Sequence, residues 1–407
     1  MALPAENQEL IQIPFSSSSI YGDHVVGASI LNRVEIIPVE TRRELKQFIR
    51  LPWTIYRHDP YWVPPLIMDV KESLDKAKYP FFEHSTADFF LARRNGQCVG
   101  RIAAILNNNH NRFHNEQTAF FGFFESVNER DVAMALLDHA AQWARDRGMM
   151  RLRGPMSYST NDISGMLIEG FDSMPCIMMA YSPDYYPGLI EASGFEKAMD
   201  LYAWYRKADF TLNPKISRVA EKVLHRSRVR IRPIDMKNFQ QEVGIIREIY
   251  NNAWTDNWGF VPMTDAEFGH MAKSLKSIVD PRLVLIAERN DEPVAFSLSL
   301  PDINTALKKI NGRLFPIGLP LLLYHSRRIR RVRTLALGII KKAQNWSGLG
   351  AALYFETFRR GVEAGYQEGE FSWTLETNHL INRSMRLLDA RLYKRYRIYE
   401  RSIDGGQ

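Results

Sequence analysis

A chain of 407 residues, 45% hydrophobic and 24% charged, is too long for one ordinary core and has a globular rather than a disordered or fibrous composition. Its net charge of +7 asks for an anionic partner without choosing between a nucleotide-like cofactor, nucleic acid and a lipid surface. Two cysteines, Cys98 and Cys176, make neither a disulfide framework nor a metal pattern. No apolar run approaches the roughly 20 residues of a membrane span, so a cytoplasmic protein is expected, without metal.

Residues 1–32, with Ser16 to Ser19 in a row, predict a flexible arm. A first unit over 33–210 begins with a strand at 34–38 and a helix at 41–56. A hairpin of 89–92 with 99–103 turns about Asn95-Gly96. Then come a strand at 118–124, a helix at 132–147, a strand at 150–154, a helix at 185–193 and a closing strand through Tyr205. A basic connecting helix is predicted over 211–229. The second unit, 230–403, repeats the order: a strand from Arg232, helices at 239–257 and 265–279, and a hairpin of 283–288 with 294–298 about Asn290-Asp291-Glu292. An insertion at 307–333 separates these from a strand at 334–340, a glycine turn, a helix at 351–364 and a strand at 369–376. A short helix at 382–388 and a strand at 393–399 close the chain. The fold class is α+β (mixed α/β), a duplication in topology with little identity between the halves.

The glycine turn is the most informative feature. Leu337-Gly338-Ile339 ends an apolar strand, and Asn345-Trp346-Ser347-Gly348-Leu349-Gly350-Ala351 leads into an amphipathic helix. First-turn amides have no intrahelical acceptor, and the helix dipole favours negative charge there, so such a turn suits a pyrophosphate.

The turn resembles the acyl-CoA segment of the GNAT acyltransferase superfamily, in which Arg or Gln is followed by two residues, Gly, one residue, and then Gly or Ala. Here Asn345 holds the first position, with a shorter reach. The element order is similar to the GNAT fold, repeated in tandem. The phrases Trp62-Val63-Pro64-Pro65-Leu66, Phe121-Gly122-Phe123-Phe124-Glu125, Asn257-Trp258-Gly259-Phe260-Val261-Pro262 and Lys394-Arg395-Tyr396-Arg397-Ile398-Tyr399 resemble a bacterial tandem-GNAT group called YghO-like. Some bacterial ceramide synthases look related to that group. The resemblance covers roughly residues 33–403. It implies two GNAT-like domains and an acyl-CoA donor held by Leu337, Gly338, Ile339, Asn345, Ser347, Gly348, Leu349, Gly350 and Ala351, with Asn382 on the following helix. The acceptor it implies is a long-chain amine. The first half lacks the glycine turn and carries Glu125, Glu129 and Asp131 where phosphates would lie, so it reads as a degenerate domain. The resemblance places the family's usual tyrosine acid near Asp389, so that proton donor is either missing or supplied from elsewhere.

An alkylamine of pKa near 10.4 must lose a proton before attack, at a cost of roughly 4 to 5 kcal/mol at neutral pH. Glu376, at the C-terminal edge of its predicted strand, is the expected base, with His379 as a second candidate; the alternative is that both belong to a structural turn. Asn161 and Asp162 occupy the matching place in the first half and are expected at the acceptor, as are Trp254, Trp258 and Phe260; core filling is the competing reading for the aromatics. In the insertion, Phe315, Ile317, Leu319 and Leu321 precede Arg327, Arg328, Arg330, Arg331 and Arg333. Pro316, Gly318 and Pro320 argue against a regular helix at its start. The segment suits peripheral binding to an anionic membrane, the inner face being expected, or else a packed lid with a solvated basic face, or arginines serving the CoA phosphates. The leading expectation is an acyl-CoA-dependent N-acyltransferase acting on a lipid amine. A Fem-like aminoacyl-tRNA transferase and a non-catalytic acyl-CoA or lipid sensor are the alternatives; nucleic acid is not the expected partner.

Overall fold

A computed structural model describes residues 33–208, 218, 221–222, 229–346 and 348–403. The expected N-terminal arm, most of the connecting helix and Ser347 lie outside these residues.

The first half contributes strands β1 (Glu35–Pro38), β2 (Thr86–Arg94), β3 (Gln97–Leu106), β4 (Thr118–Ser126), β5 (Arg151–Gly154), β6 (Met166–Glu169) and β7 (Glu196–Lys207). Its helices are α1 (Arg42–Ile55), α2 (Ile67–Ser73), α3 (Asn108–His114), α4 (Arg130–Arg145) and α5 (Tyr186–Glu191). The second half adds β8 (Val229–Pro233), β9 (Val284–Arg289), β10 (Glu292–Pro301), β11 (Arg331–Ile339), β12 (Glu368–Leu375) and β13 (Arg391–Ser402). Its helices are α6 (Phe239–Ala253), α7 (Asp265–Leu275), α8 (Asn304–Ile310), α9 (Gly318–Ser326), α10 (Lys341–Gln344), α11 (Leu349–Glu363) and α12 (His379–Leu387).

Local chemistry accounts for the element boundaries. Thr41 and Glu44 form a reciprocal capping box that starts α1, and Thr264 with Glu267 does the same for α7. Asn95-Gly96 and Asn290-Asp291 all have positive φ, the backbone that a two-residue hairpin needs to match strand twist. Helix α4 buries Val132, Ala133, Leu136, Leu137, Ala140, Ala141 and Ala144 completely against the sheet, an apolar stripe at helical spacing. One expectation is corrected: α9 begins at Gly318 with Pro320 in its first turn. A proline is tolerated there because first-turn amides have no intrahelical acceptor to lose.

One sheet runs through the molecule in the order β1-β2-β3-β4-β5-β13-β7-β12-β11-β10-β9-β8, with β6 also on β13. In each half a parallel pair, β4 with β5 and β11 with β12, lies among antiparallel neighbours. The centre is an exchange. β13, the last strand of the second half, pairs with β5 of the first, and β7, the last strand of the first half, pairs with β12 of the second. The two exchanged strands pair with each other from Tyr205↔Arg391 to Glu196↔Glu400.

Candidate active site

β11 and β12 run side by side for four residue pairs, ending at Thr334↔Phe371, and then part. Bulges on both strands turn them aside. Against β10, Leu335 is the extra residue between Ser299↔Thr334 and Leu298↔Ala336. Against β7, Ser372 and Trp373 lie between Phe371↔Trp204 and Thr374↔Tyr202. An extra residue bends its strand and increases local twist. Residues 336–339 consequently pair with β10 along one edge and, among the described residues, have no strand partner along the other.

A cavity fills this gap, walled by both halves of the chain. Trp254, Trp258, Phe260, Phe296 and Leu337 come from the second half, and Asn161, Asp162 and Met178 from the first. The Trp254 ring lies 4.6 Å from Tyr250 and 5.7 Å from Phe296. Gly338 makes that wall possible: a Cβ there would stand 2.8 Å from the Phe296 ring and 3.0 Å from Trp254.

The loop after β5 joins the halves at the cavity rim. Thr160 Oγ1 donates to the Gly259 carbonyl at 2.8 Å, Asn161 Nδ2 to the Val261 carbonyl at 3.1 Å, and the Tyr250 hydroxyl to Asn161 Oδ1. Asp162 accepts the Tyr79 hydroxyl at 3.0 Å and the Ser159 hydroxyl at 2.9 Å. Burial pushes its carboxyl up to about 7, with the charge of Glu267 adding to the shift, although both hydroxyls favour the ionised form.

On the other side of the gap, α11 follows its N-cap Gly348, φ +89°, and among the described residues no side chain caps its first turn. Gly350 has room beside it, the nearest atom to an added Cβ being Ile339 Cδ1 at 3.7 Å. One turn further, Tyr354 lies on the cavity wall against Phe371, and burial raises its phenol well above its ordinary value. Beneath the floor, Arg333 donates to Ser372 Oγ at 2.8 Å and to the Ile177 carbonyl, with Glu370 at 3.8 Å; Arg333 and Glu370 are both buried.

The first half keeps no such gap. Glu125 accepts the Tyr56 and Tyr186 hydroxyls at 2.9 and 2.7 Å and pairs with Arg101 at 3.4 Å, all four side chains buried at the end of β4. Met156 N bonds to the Phe121 carbonyl at 2.8 Å, closing the chain after β5 against β4. Glu129 and Asp131 both pair with Arg94.

The expected residues divide. Leu337, Trp254, Trp258, Phe260, Asn161 and Asp162 share the cavity; Gly338 and Ile339, at the end of β11, and Leu349, Gly350 and Ala351, in the first turn of α11, are not among its lining residues. Asn345 is exposed at the end of α10. Asn382 donates to the Leu375 and Glu376 carbonyls at 2.9 and 3.2 Å and accepts Thr374 Oγ1 at 2.7 Å, which fixes the end of β12. Glu376 does not line the cavity: it accepts Lys197 Nζ at 2.7 Å and the Asp200 amide at 3.1 Å. His379, first in α12, is exposed. Tyr250, Arg333 and Tyr354 are cavity residues that the sequence reading passed over. For Tyr354 a signal existed, since it stands four residues after Gly350 and shares its helix face.

The basic insertion is corrected in part. Arg327, Arg328 and Arg330 are exposed, but Arg331 pairs with buried Asp302 at 3.0 Å and Arg333 is inside, because both already belong to β11. Phe315 and Ile317 are 74% and 76% exposed, and Leu323 and Tyr324 are more than half exposed. Among the described residues no helix is long and apolar enough to cross a membrane.

No protein-family model matches the chain. Protein YghO of Escherichia coli (strain K12) is 37% identical over 373 residues, covering 89% of this chain and 94% of that protein. A bacterial ceramide synthase of Caulobacter vibrioides (strain NA1000 / CB15N) is 35% identical over 380 residues, 91% of this chain and 98% of that one. Among solved structures, a tandem GNAT protein from the clavulanic acid biosynthesis pathway superposes with TM-score 0.56 at 12% identity, covering 92% of this chain and 100% of its own. A GCN5-related N-acetyltransferase from Anabaena variabilis gives 0.50 at 12% identity, covering 91% and 73%. At such identities the structural likeness concerns the fold alone.

Proposed function

Because this chain belongs to the family of YghO and the bacterial ceramide synthase, and has the tandem GNAT fold, we propose that it is an N-acyltransferase moving an acyl group from acyl-CoA to a hydrophobic, long-chain amine. The observation that carries this reading is the parted β11/β12 pair, with a helix start that no described side chain caps on one side and an apolar cavity on the other. The acyl donor supplies an activated thioester carbonyl. First-turn amides of α11 around Gly350 would hold its pyrophosphate, and the unpaired edge of residues 336–339 offers backbone donors and acceptors to the amide-bearing arm of the donor. The aromatic wall of Trp254, Trp258 and Phe260 suits an apolar acceptor tail and excludes water from the reacting atoms. Tyr354, on that wall with its proton held by burial, is the group we assign to protonating the leaving thiolate.

A lipid amine has to be drawn from a bilayer, and the α8–α9 hairpin is the part of the surface suited to it. Phe315, Ile317 and Leu323 project beside exposed Arg327, Arg328 and Arg330. The hairpin is tied to the first half through Trp53 Nε1, which donates to Asn311 Oδ1 at 2.8 Å, and the Ile67 amide, which donates to the Gly312 carbonyl at 3.1 Å.

The test is purified protein incubated with acyl-CoA of short, medium and long chain and a sphingoid-type amine, with and without ribonuclease, read by mass spectrometry. N-acylated long-chain amine, formed in step with free CoA and insensitive to ribonuclease, is the expected product. Acylation of a small polar amine equally well would overturn the lipid acceptor. Absence of amide with every donor chain would overturn the activity.

A further inference from the structure

Asp162 stands in a place that the acyl-donor half of the molecule does not supply. Among the described residues it is the carboxyl group on the cavity wall, and it comes from the half that has lost its own gap. Among the described residues the groups in contact with it are neutral or like-charged, and Arg333, the cation lining the same cavity, is engaged by Ser372, the Ile177 carbonyl and Glu370. Tyr79 reaches it from the segment before β2, Tyr158 and Ser159 from its own loop, Tyr250 from α6, and Glu267 from α7, where His84 holds that carboxylate at 3.0 Å. The Tyr79 and Ser159 hydroxyls take one acceptor position on each oxygen. A carboxylate has about four such positions, so room remains for a donor from the cavity. A buried carboxyl without a cationic partner is costly to keep, and the arrangement gains one when an ammonium group enters.

We propose that Asp162 receives the acceptor's amino head: its carboxylate binds the incoming long-chain ammonium and takes a proton from it before attack, so that one half of the chain holds the donor and the other prepares the acceptor. The proton-accepting part rests on the N-acyltransferase reading above; the ammonium-binding part does not. The step balances as follows. The ammonium gives one proton to Asp162. The freed lone pair forms the C–N bond to the thioester carbonyl carbon, and the C–S bond breaks with its electron pair on sulfur. Tyr354 gives its proton to that sulfur and regains one from the surplus N–H, leaving an amide, a free thiol and a protonated Asp162 that returns its proton to water. The apolar walls help in both directions: desolvation lowers the basicity of the amine and raises that of the carboxyl, closing the gap between them. Poised near neutrality, the carboxyl is matched to this task.

The test uses the full-length protein and D162N, with two measurements. In the first, dodecylamine and dodecanol are titrated into each protein without acyl donor. D162N is expected to lose roughly ten- to hundredfold in affinity for the amine and little for the alcohol, the range of a charge-assisted hydrogen bond. In the second, turnover is compared for a long-chain alkylamine and a long-chain O-alkylhydroxylamine, whose nitrogen is already neutral at physiological pH. D162N is expected to fall on the order of 10²-fold with the alkylamine, to lose the inflection near neutral pH in kcat/KM, and to recover most of its activity with the hydroxylamine. Unchanged amine affinity, or an equal loss with both acceptors, overturns the assignment. A selective loss of amine binding in a protein that forms no amide keeps Asp162 as the ammonium site and overturns the acyltransferase reading instead.

Discussion

Gly348 and Gly350 differ in what a side chain would meet. Gly348 sits at φ +89°, where an alanine costs about 1–2 kcal/mol, so Gly348→Ala should lower the melting temperature. Gly350 lies inside the first turn of α11 with space beside it, so Gly350→Ala should fold as well as the wild type or slightly better. Gly350→Glu should also fold, yet place a carboxylate where the donor's pyrophosphate is proposed to lie. Its CoA affinity, measured by calorimetry, should fall by roughly tenfold or more. Wild-type affinity in that variant would remove the donor from this turn. Asp162 makes a prediction about stability as well. The folded state holds its proton up to about 7, whereas the unfolded chain loses it near ~4. Its contribution is therefore complete below about 4, is lost as pH rises through about 7, and is absent above. Asp162→Asn cannot suffer that loss. Its melting temperature relative to wild type should climb between acid and mildly alkaline pH, and a constant difference would mean that the carboxyl is not buried as described. Residue types in the sequence pointed to Asp162 and the three aromatics. They also pointed to Glu376, whose partner Lys197 lies 179 positions away and carries no local signature.

The elements were legible where one periodicity or one cap decides them. Helix α4, the two hairpins and the glycine turn follow from spacing and turn chemistry. The bulges were not legible, because Leu335 and the Ser372-Trp373 pair are ordinary strand residues, and an extra residue shows only against a partner's register. Yet those bulges open the site. The insertion shows a similar limit: its five arginines look alike in a row, and only the start of β11 separates the inward Arg331 and Arg333 from the outward three. Of the apolar residues, Phe315, Ile317 and Leu323 are the most exposed, and each would transfer at roughly 1.5–3 kcal/mol if fully buried in acyl tails. Three exposed arginines add about 1 kcal/mol apiece at an anionic surface. Replacing Phe315, Ile317 and Leu323 together by serine should leave the fold and CoA affinity intact. It should abolish sedimentation with phosphatidylserine-containing vesicles and depress turnover of a membrane-borne amine more than of the same amine in detergent. Wild-type protein that stays in the supernatant at low salt would mean that this hairpin serves another partner.

Across the whole molecule, the exchange of β7 and β13 decides how the two halves depend on each other. The repeat itself was readable, since each half writes out the same order of elements. The exchange was not, because β7 and β13 are both long alternating strands, and pairing either one with its own half would bury much the same faces. Its consequence is energetic. Tyr396, Ile398 and Tyr399 on β13 have no exposed surface and pack into the first half's cores, among Leu152, Leu167 and Leu201. At roughly 1.5–3 kcal/mol per buried large side chain, these three contribute about 5–9 kcal/mol, as much as many domains have in total. A chain ending after Asp389 should therefore lose the first half as well as the second, with β5 and β7 left as open edges that invite aggregation. The intact protein should unfold in one calorimetric transition. Residues 1–228 and 229–407 expressed separately should be insoluble, but expressed together they should copurify as a complex that regains the cavity. If the first fragment alone melts cooperatively at the temperature of the intact chain, β13 is dispensable to it, and the two halves are independent units placed side by side.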